Sequence, residues 1–414
     1  MSRSPSKESQ TSVLRRPTPP PSGEEVLEIA RRGNNEAVAR LHRLDSRDVA
    51  NALQDLEPSQ RLEVLELSDR VDEIIPLLGE VQFTMTLRGA GIEEAGWLVE
   101  FASPEQRIAS IDLDCWKDGR FSESRFFQWV DAMIEAGPET LAAALIELDA
   151  EVWSIGMRAM GEFGIGGFGL DPEPPGGTTL DGVVFYEAYT EEGEGRIREI
   201  LTAALHYAPS EYWKLVYGAL PGNDLESRVW ARRWQQNRLA DLGFPEPEYA
   251  IRVYRPLRAD EIRRPFPAES PPAPKRVFSS HSDSVDLTVS RRVLARALGE
   301  LGTSRRDEIM GFILAVANTI TVADRLPLAD SDTPKRSLAK ALRGIERGIS
   351  EIATVHGRTP GSVLDAVSPR DLFRIGVTLD ASLHPEMGAL RSQEDREDED
   401  WDVSTMTLTD EDLG

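Results

Sequence analysis

The chain has 414 residues, of which 40% are hydrophobic and 29% are charged, which is typical of a globular protein too long for one compact core. Its formal net charge of −24 opposes binding to nucleic acid or anionic lipid. The single cysteine, Cys115, excludes an intramolecular disulfide framework and any multi-cysteine metal site.

Both ends of the sequence are poor in apolar residues. Residues 1–22 contain four basic residues and one acidic residue among serines and prolines, so we expect a disordered tail and no signal peptide. Residues 391–414 contain ten acidic residues and two arginines, a net charge of −8, and we expect an acidic disordered tail.

Residues 23–160 are predicted to form a helical-repeat domain. Residues 48–65 align without a gap on residues 94–111, with identical residues at Pro58/Pro104, Gln60/Gln106 and Arg61/Arg107. In a weaker third copy, Ala142, Leu145 and Leu148 take the places of Ala50, Leu53 and Leu56. This period of 46 residues predicts a superhelix of stacked helix pairs. Each copy should begin a helix at its proline and bury the apolar pairs Leu62/Leu65 and Ile108/Ile111.

The rest of the chain divides by composition. Residues 161–195 form a Gly/Pro-rich insertion whose β-branched and aromatic stretch predicts a short β hairpin near residues 179–189. A helical block follows over residues 196–256, then a Pro-rich linker over residues 257–284. A C-terminal helical block covers residues 285–390, with helix starts at Thr359-Pro360 and Ser368-Pro369. The predicted fold class is therefore mainly α.

The longest apolar stretch, residues 311–323, is interrupted by Asn318, Thr319 and Thr321. It is shorter than the ~20 residues that span a bilayer, so it predicts a buried helix and no membrane insertion. With the cysteine usage, this indicates a cytoplasmic protein.

Two patterns typical of ligand sites lack the context that such sites need. Residues 164–169 fit G-x-G-x-x-G, but a helical pattern precedes them and a Pro-rich stretch follows, so we interpret them as a flexible turn. None of the five histidines has a second histidine or a cysteine three or four residues further on, so no metal site is predicted from them.

Residues 228–238 interleave arginines with Trp230 and Trp234. Such a pattern suits single-stranded nucleic acid, whose bases stack on aromatic rings. Tryptophans four residues apart also share one helix face, and the chain is acidic. We therefore predict that both rings are buried and anchor residues 225–242 against the preceding helix at residues 212–217.

Carboxylates cluster at Asp112 and Asp114, at Glu191, Glu192 and Glu194, and in residues 394–400. Mg²⁺ and Ca²⁺ prefer such oxygen ligands, but no EF-hand spacing is present. We interpret the clusters as solvated faces, with no catalytic, cofactor-binding or metal-binding residue assigned. Mg²⁺ is the one cofactor kept as an alternative.

The repeated segment resembles the intracellular N-terminal helical domain of MgtE-type magnesium transporters, over residues 25–160. The resemblance depends on residues 48–53, 56–61 and 64–67. It implies a right-handed superhelix of short helices, and in those transporters the domain is acidic and binds magnesium. We carry over the fold but no ligand residue, because the transmembrane helices and the regulatory domain are missing.

Across its length the chain resembles an uncharacterised bacterial family, domain of unknown function 6178. The stretches that carry this resemblance are residues 75–83, 102–107, 112–116, 237–245, 254–256 and 370–374. The resemblance implies relatedness and no activity.

Three functions remain open from the sequence. A non-catalytic interaction or scaffold module with an unknown protein partner comes first, because helical repeats build extended binding surfaces. A Mg²⁺-responsive regulatory domain is the alternative, and an enzyme of unrecognised type is the second alternative, since function resides in sites and not in folds.

Overall fold

A computed structural model of the chain describes residues 20–33, 35–166, 177–222, 224–261 and 292–384, and all structural statements concern these residues. The predicted tail at residues 391–414, most of the tail at residues 1–22 and most of the linker at residues 257–284 lie outside them.

The fold is mainly helical, as predicted. Its α-helices are Gly23–Arg32 (α1), Asn35–Leu41 (α2), Ser46–Leu53 (α3), Pro58–Leu67 (α4), Val71–Ile74 (α5), Glu80–Ala90 (α6), Ile92–Ala95 (α7), Pro104–Asp114 (α8), Glu123–Glu135 (α9), Pro138–Glu147 (α10), Ala150–Met160 (α11), Glu191–Tyr207 (α12), Pro209–Ala219 (α13), Asp224–Asp241 (α14), Pro247–Ala250 (α15), Arg292–Gly299 (α16), Thr303–Ala323 (α17), Thr333–His356 (α18), Pro360–Ala366 (α19) and Pro369–Leu379 (α20). Short 3₁₀ helices cover Ile75–Leu77, Gly96–Phe101, Ile251–Tyr254, Ala259–Glu261 and Ala381–Leu383.

Two small antiparallel sheets complete the architecture. Trp116–Lys117 (β1) and Arg120–Phe121 (β2) form a hairpin, with Trp116 opposite Phe121. Gly161–Ile165 (β3), Thr178–Thr179 (β4) and Val184–Ala188 (β5) form a sheet in the order β3-β5-β4. The hairpin predicted near residues 179–189 is thus confirmed as β4–β5.

The apolar side chains gather into two cores joined by a smaller cluster. The first core spans α1 to α14, and its largest fully buried side chains include Trp129 and Trp153. The second runs from the 3₁₀ helix Ile251–Tyr254 through α16–α20. Between them lies a connecting cluster, which consists of Val81, Met85, Ala109, Leu113, Phe244 and Ala329.

The two strong repeat copies share local structure. Pro58 and Pro104 each occupy the first position of a helix, and both helices carry a capping box closed by Gln60 or Gln106. Leu62, Leu65 and Ile111 are buried, whereas Ile108 is half-buried. The apolar residues matched between the first and third copies, at residues 50, 53, 56, 142, 145 and 148, are all buried as well.

The repeated arginines make the same kind of contact. Arg61 Nε donates to the carbonyl of Leu53 at 2.9 Å, and Arg107 Nη1 donates to the equivalent carbonyl of Val99 at 3.4 Å. However, the helix before Pro58 is α-helical, and the one before Pro104 is mainly 3₁₀. The superhelical arrangement is therefore not confirmed and stays a prediction.

Two other expectations concern helix position. Helix α12 begins at Glu191 and not at residue 196, because the Thr190 side chain accepts a hydrogen bond from the Gly193 N–H and caps the helix. Residues 311–323 lie within α17, as expected for a helix that packs into the second core.

No helix in the described ranges is long and apolar enough to cross a membrane.

Candidate functional site

Helix α14 is fastened to the first core by a buried ion network. Arg238 Nη2 lies 2.9 Å from Oδ1 of Asp112 on α8 and 2.6 Å from Oδ2 of Asp149, the residue before α11. Gln235 donates to the Asp112 carbonyl at 3.0 Å. Burial raises the pKa of the Asp112 carboxyl, and the pairing with Arg238 offsets part of that rise. The network holds α14 against both α8 and α11.

The prediction that Trp230 and Trp234 are buried is wrong. Their exposed fractions are 37% and 44%, and they stack on each other with ring centroids 6.3 Å apart. The strip of α14 that faces the core consists of Ser227, Ala231 and Gln235. Trp230 precedes Ala231 and Trp234 precedes Gln235, so each indole is turned by about 100° around the helix axis from this strip.

The α13–α14 pair leaves an unusual number of large apolar side chains in contact with solvent. Of the fifteen such side chains that are exposed in the described part of the chain, six lie on these two helices. On α13, Trp213 and Tyr217 have ring centroids 5.9 Å apart. On α14, Arg233 lies over the Trp230 ring at 5.3 Å. We call Trp213, Tyr217, Val229, Trp230 and Trp234 the hairpin surface.

A cleft of about 880 Å³ lies on the other flank of α14, between the two cores. Arg232, Gln236 and Leu239 of α14 form one wall. The other walls are the end of α8 with the β1–β2 hairpin, the segment Phe244–Ile251, and the loop between α17 and α18. Clefts between packed units are common ligand sites. Two of the stretches that carry the family resemblance, residues 112–116 and 237–245, contribute to its lining.

The β1–β2 hairpin shapes one end of this cleft. Its two central residues, Asp118 and Gly119, have φ of 50° and 72°, as a type I′ turn requires. A Cβ atom at position 119 would lie 2.8 Å from Cζ of Arg232, so the guanidinium would have to move. Sequence reasoning missed this hairpin, although Asp-Gly between Trp-Lys and Arg-Phe is a strong hairpin signal.

Asp114, an acidic residue of the cleft lining, is already engaged by two partners. Asp114 pairs with Arg88 at 3.2 Å and accepts a hydrogen bond from Trp129 Nε1 at 2.9 Å. Burial raises the pKa of Asp114, against the lowering effect of those two partners. Burial also raises the pKa of the Cys115 thiol well above its ordinary value, so Cys115 stays protonated and is a poor nucleophile.

The interpretation of Asp112 and Asp114 as a solvated face is therefore wrong, because both side chains are buried and paired with arginines. Glu191, Glu192 and Glu194 occupy the first turn of α12, where the helix dipole favours negative charge. Residues 394–400 lie outside the described ranges. Within those ranges, no group of three or more His, Cys, Asp or Glu side chains could hold a metal ion. No candidate ligand residue can thus be named, and Mg²⁺ binding stays an untested alternative.

Comparison with known proteins finds one family. A family model described as "Family of unknown function (DUF6178)" matches residues 38–412. No curated protein and no solved structure matches the chain. The resemblance of residues 25–160 to MgtE-type transporters is not supported, because the matched model is a different one and extends over nearly the whole chain.

Proposed function

The chain belongs to this family of unknown function, and we propose that it is a non-catalytic interaction module that binds a protein partner through the hairpin surface. The observation that carries the proposal is the exposure of the stacked pair Trp230 and Trp234. Exposed apolar surface is costly in water, and adjacent exposed rings such as this stacked pair mark an interaction site. We further propose a cytoplasmic location, which the single buried cysteine supports.

The composition of the hairpin surface favours a protein partner. Tryptophan, tyrosine and arginine are the residue types that dominate the binding energy of protein interfaces. Arg233 is exposed, and its guanidinium lies over the Trp230 ring. The ring orients the guanidinium and therefore its N–H donors. Such a surface suits a partner that offers apolar side chains next to carboxylates.

The test compares two double variants in affinity purification from cells that naturally express the protein. Trp230→Ala/Trp234→Ala removes the stacked pair, whereas Ile146→Ala/Leu379→Ala removes two exposed apolar side chains elsewhere. We expect one or more proteins to copurify with the wild type and the control variant and to fall by about tenfold or more with the tryptophan variant.

Copurification of the same proteins in equal amounts with all three forms would contradict the proposal. An unfolded tryptophan variant would lose its partners for another reason, so the circular dichroism spectrum and melting temperature of each variant are measured first.

A further inference from the structure

The side of α14 that points away from the first core is exposed over about three turns. Ser227, Ala231 and Gln235 form the buried strip. At about 100° per residue, six exposed side chains lie outside that strip and within one half of the helix circumference. We call these side chains the outer face of α14; they are Leu225, Glu226, Val229, Trp230, Arg233 and Trp234.

The outer face carries one acidic and one basic side chain, towards its opposite ends. Glu226 lies in the first turn of α14, and Arg233 follows about two turns later. In the described part of the chain neither of them forms an ion pair, and both are exposed. Arg228 and Arg238 of the same helix are, by contrast, paired with carboxylates. The charges of Glu226 and Arg233 are therefore available to a partner.

A second copy of the chain has the chemistry that this face requires. We propose, on the basis of the function proposed above, that the partner is a second copy, bound through α14 in an antiparallel pair. Val229, Trp230 and Trp234 belong to both the hairpin surface and the outer face. A partner for the two rings has to offer apolar side chains next to a carboxylate, and Leu225, Glu226 and Val229 of a second copy form such a group.

Two-fold symmetry gives the antiparallel pair one register in which the contacts are complementary. The axis passes between Val229 and Trp230, so residues at equal distances on either side of this point face each other across the pair. Each contact is then formed twice, as in any interface of this symmetry. The register sets each indole against an aliphatic side chain and each carboxylate against a guanidinium. The facing residues are Leu225 and Trp234, Glu226 and Arg233, and Val229 and Trp230.

Other arrangements of the same two helices lose this match. In a parallel pair, Glu226 faces Glu226 and Arg233 faces Arg233, so like charges meet. Displacing the antiparallel pair by one helical turn sets Glu226 opposite Val229 in one direction and opposite Asn237 in the other. Arg233 also loses its carboxylate in both cases. Charge complementarity therefore selects the antiparallel pair and its register.

The contact is small for a protein interface, because the outer face covers only about 15 Å of helix. Interfaces of limited area form weak, transient complexes, and the net charge of −24 makes two copies repel each other. We therefore expect dimers that form in roughly the micromolar range and dissociate on dilution. Dimer formation covers the stacked pair Trp230 and Trp234, which a single chain leaves exposed.

Charge reversal tests the antiparallel pair. Sedimentation velocity of the full chain, from about 1 to about 100 µM at physiological salt, measures the monomer–dimer equilibrium. Glu226→Arg and Arg233→Glu should each weaken self-association by about tenfold or more, because like charges then meet at both symmetry-related contacts. The double reversal Glu226→Arg/Arg233→Glu should restore self-association, and so should an equimolar mixture of the two single variants. The control is Arg232→Glu, the same charge change at an exposed neighbour that lines the cleft, and it should have little effect.

Net charge alone predicts a different pattern, in which Glu226→Arg strengthens the association of this acidic chain and only Arg233→Glu weakens it. Antiparallel pairing is overturned by a wild type that stays monomeric over the whole range, by single reversals that act like Arg232→Glu, or by a double reversal or mixture that fails to restore association. If the wild type is monomeric but other proteins still copurify with it in a tryptophan-dependent way, the proposed function stands and a second copy is not the partner.

Discussion

Three tryptophans show how much the surroundings of a side chain decide. Trp153 has no exposed surface and its Nε1 donates to the Ala144 carbonyl at 3.3 Å, whereas Trp230 and Trp234 are more than one third exposed. We expect Trp153→Ala to lower the free energy of unfolding by ~3–5 kcal/mol. Trp230→Ala and Trp234→Ala should each change it by less than about 1 kcal/mol. Urea unfolding of the three variants gives the comparison, and a large loss for either exposed tryptophan would contradict the structure.

The pair of Arg238 and Asp112 predicts a pH-dependent effect. Arg238→Gln leaves a buried carboxylate without its partner, and such a loss typically costs ~3–5 kcal/mol near neutral pH. Burial already raises the pKa of Asp112, and without Arg238 it rises further. The Asp112 carboxyl then binds a proton at higher pH in the folded state than in the unfolded state. The loss of unfolding free energy caused by Arg238→Gln is therefore full above the folded pKa and disappears as the pH falls through it.

Unfolding free energies of the wild type and Arg238→Gln should therefore converge as the pH falls from neutral towards the ordinary pKa of an aspartate. The control is Asp112→Asn/Arg238→Gln, which lacks the titrating carboxyl. The difference in unfolding free energy between this double variant and the wild type should not narrow as the pH falls. If the difference in unfolding free energy between the wild type and Arg238→Gln does not change with pH, packing and not charge holds α14 against the first core.

At the scale of elements, the same hydrogen bond from an arginine to a backbone carbonyl links consecutive helices at three places. Arg61, Arg107 and Arg306 each occupy the fourth position of their helix and donate to the carbonyl eight residues earlier, at Leu53, Val99 and Leu298. Carbonyls at a helix end lack intrahelical partners, and a guanidinium supplies several donors at once. The contact fixes the angle at which the next helix leaves.

Arg107 is buried, whereas Arg61 and Arg306 are half-buried, and its Nε also lies 2.6 Å from Glu147 Oε2. We expect Arg107→Met to lower the free energy of unfolding by about 3 kcal/mol or more, because it leaves carbonyls and Glu147 unpaired. Arg32→Met removes an exposed pair with Glu28 and should cost less than about 0.5 kcal/mol. Thermal melts of the two variants test this, and similar losses would refute a capping role.

At the scale of the whole molecule, the two cores depend on the small connecting cluster. Phe244 is its largest member and is 2% exposed. Phe244→Ala should remove ~3–5 kcal/mol of packing from the contact between the cores. Calorimetry should then show two transitions, whereas we expect one for the wild type, since units with weak contacts unfold separately.

Two further variants assign the transitions. In the Phe244→Ala background, Phe126→Ala should lower only the transition of the first core and Phe373→Ala only that of the second, because each ring is fully buried in its own core. A single transition at a lower temperature would mean that the cores are coupled by contacts other than the connecting cluster.

The Mg²⁺ alternative also belongs to this scale. A cation that binds only the folded state raises stability by RT ln(1 + [L]/Kd), ~2.7 kcal/mol at 100-fold over Kd. Screening of an acidic protein has the same sign, so melts in MgCl₂ are compared with NaCl of equal ionic strength, on a chain that ends at residue 390. We expect no more than a small Mg²⁺-specific shift, because no group of three or more His, Cys, Asp or Glu side chains in the described ranges could hold a metal ion. A saturable effect at or below the millimolar range would favour ion sensing.

Much of the fold could be predicted because its signals are local. The proline starts of α4, α8, α19 and α20, the β4–β5 hairpin and the helical α17 follow from caps, turn residues and periodicity over a few positions. The candidate sites could not be predicted in this way. Whether Trp230 faces the core or solvent depends on which strip of α14 meets α8 and α11, and four-residue spacing is the same for both strips.

The sequence by itself determined that the chain is mainly helical, where many of its helices begin, and which apolar positions of the repeated segment are buried, because hydrogen bonding at helix ends and side-chain periodicity act within one element. Only the tertiary structure decided that Asp112, 126 residues from Arg238, is its partner, that the tryptophans of α14 are exposed, and that a cleft lies between the cores. These features depend on contacts between elements distant in sequence, whose geometry is set by how closely whole helices pack.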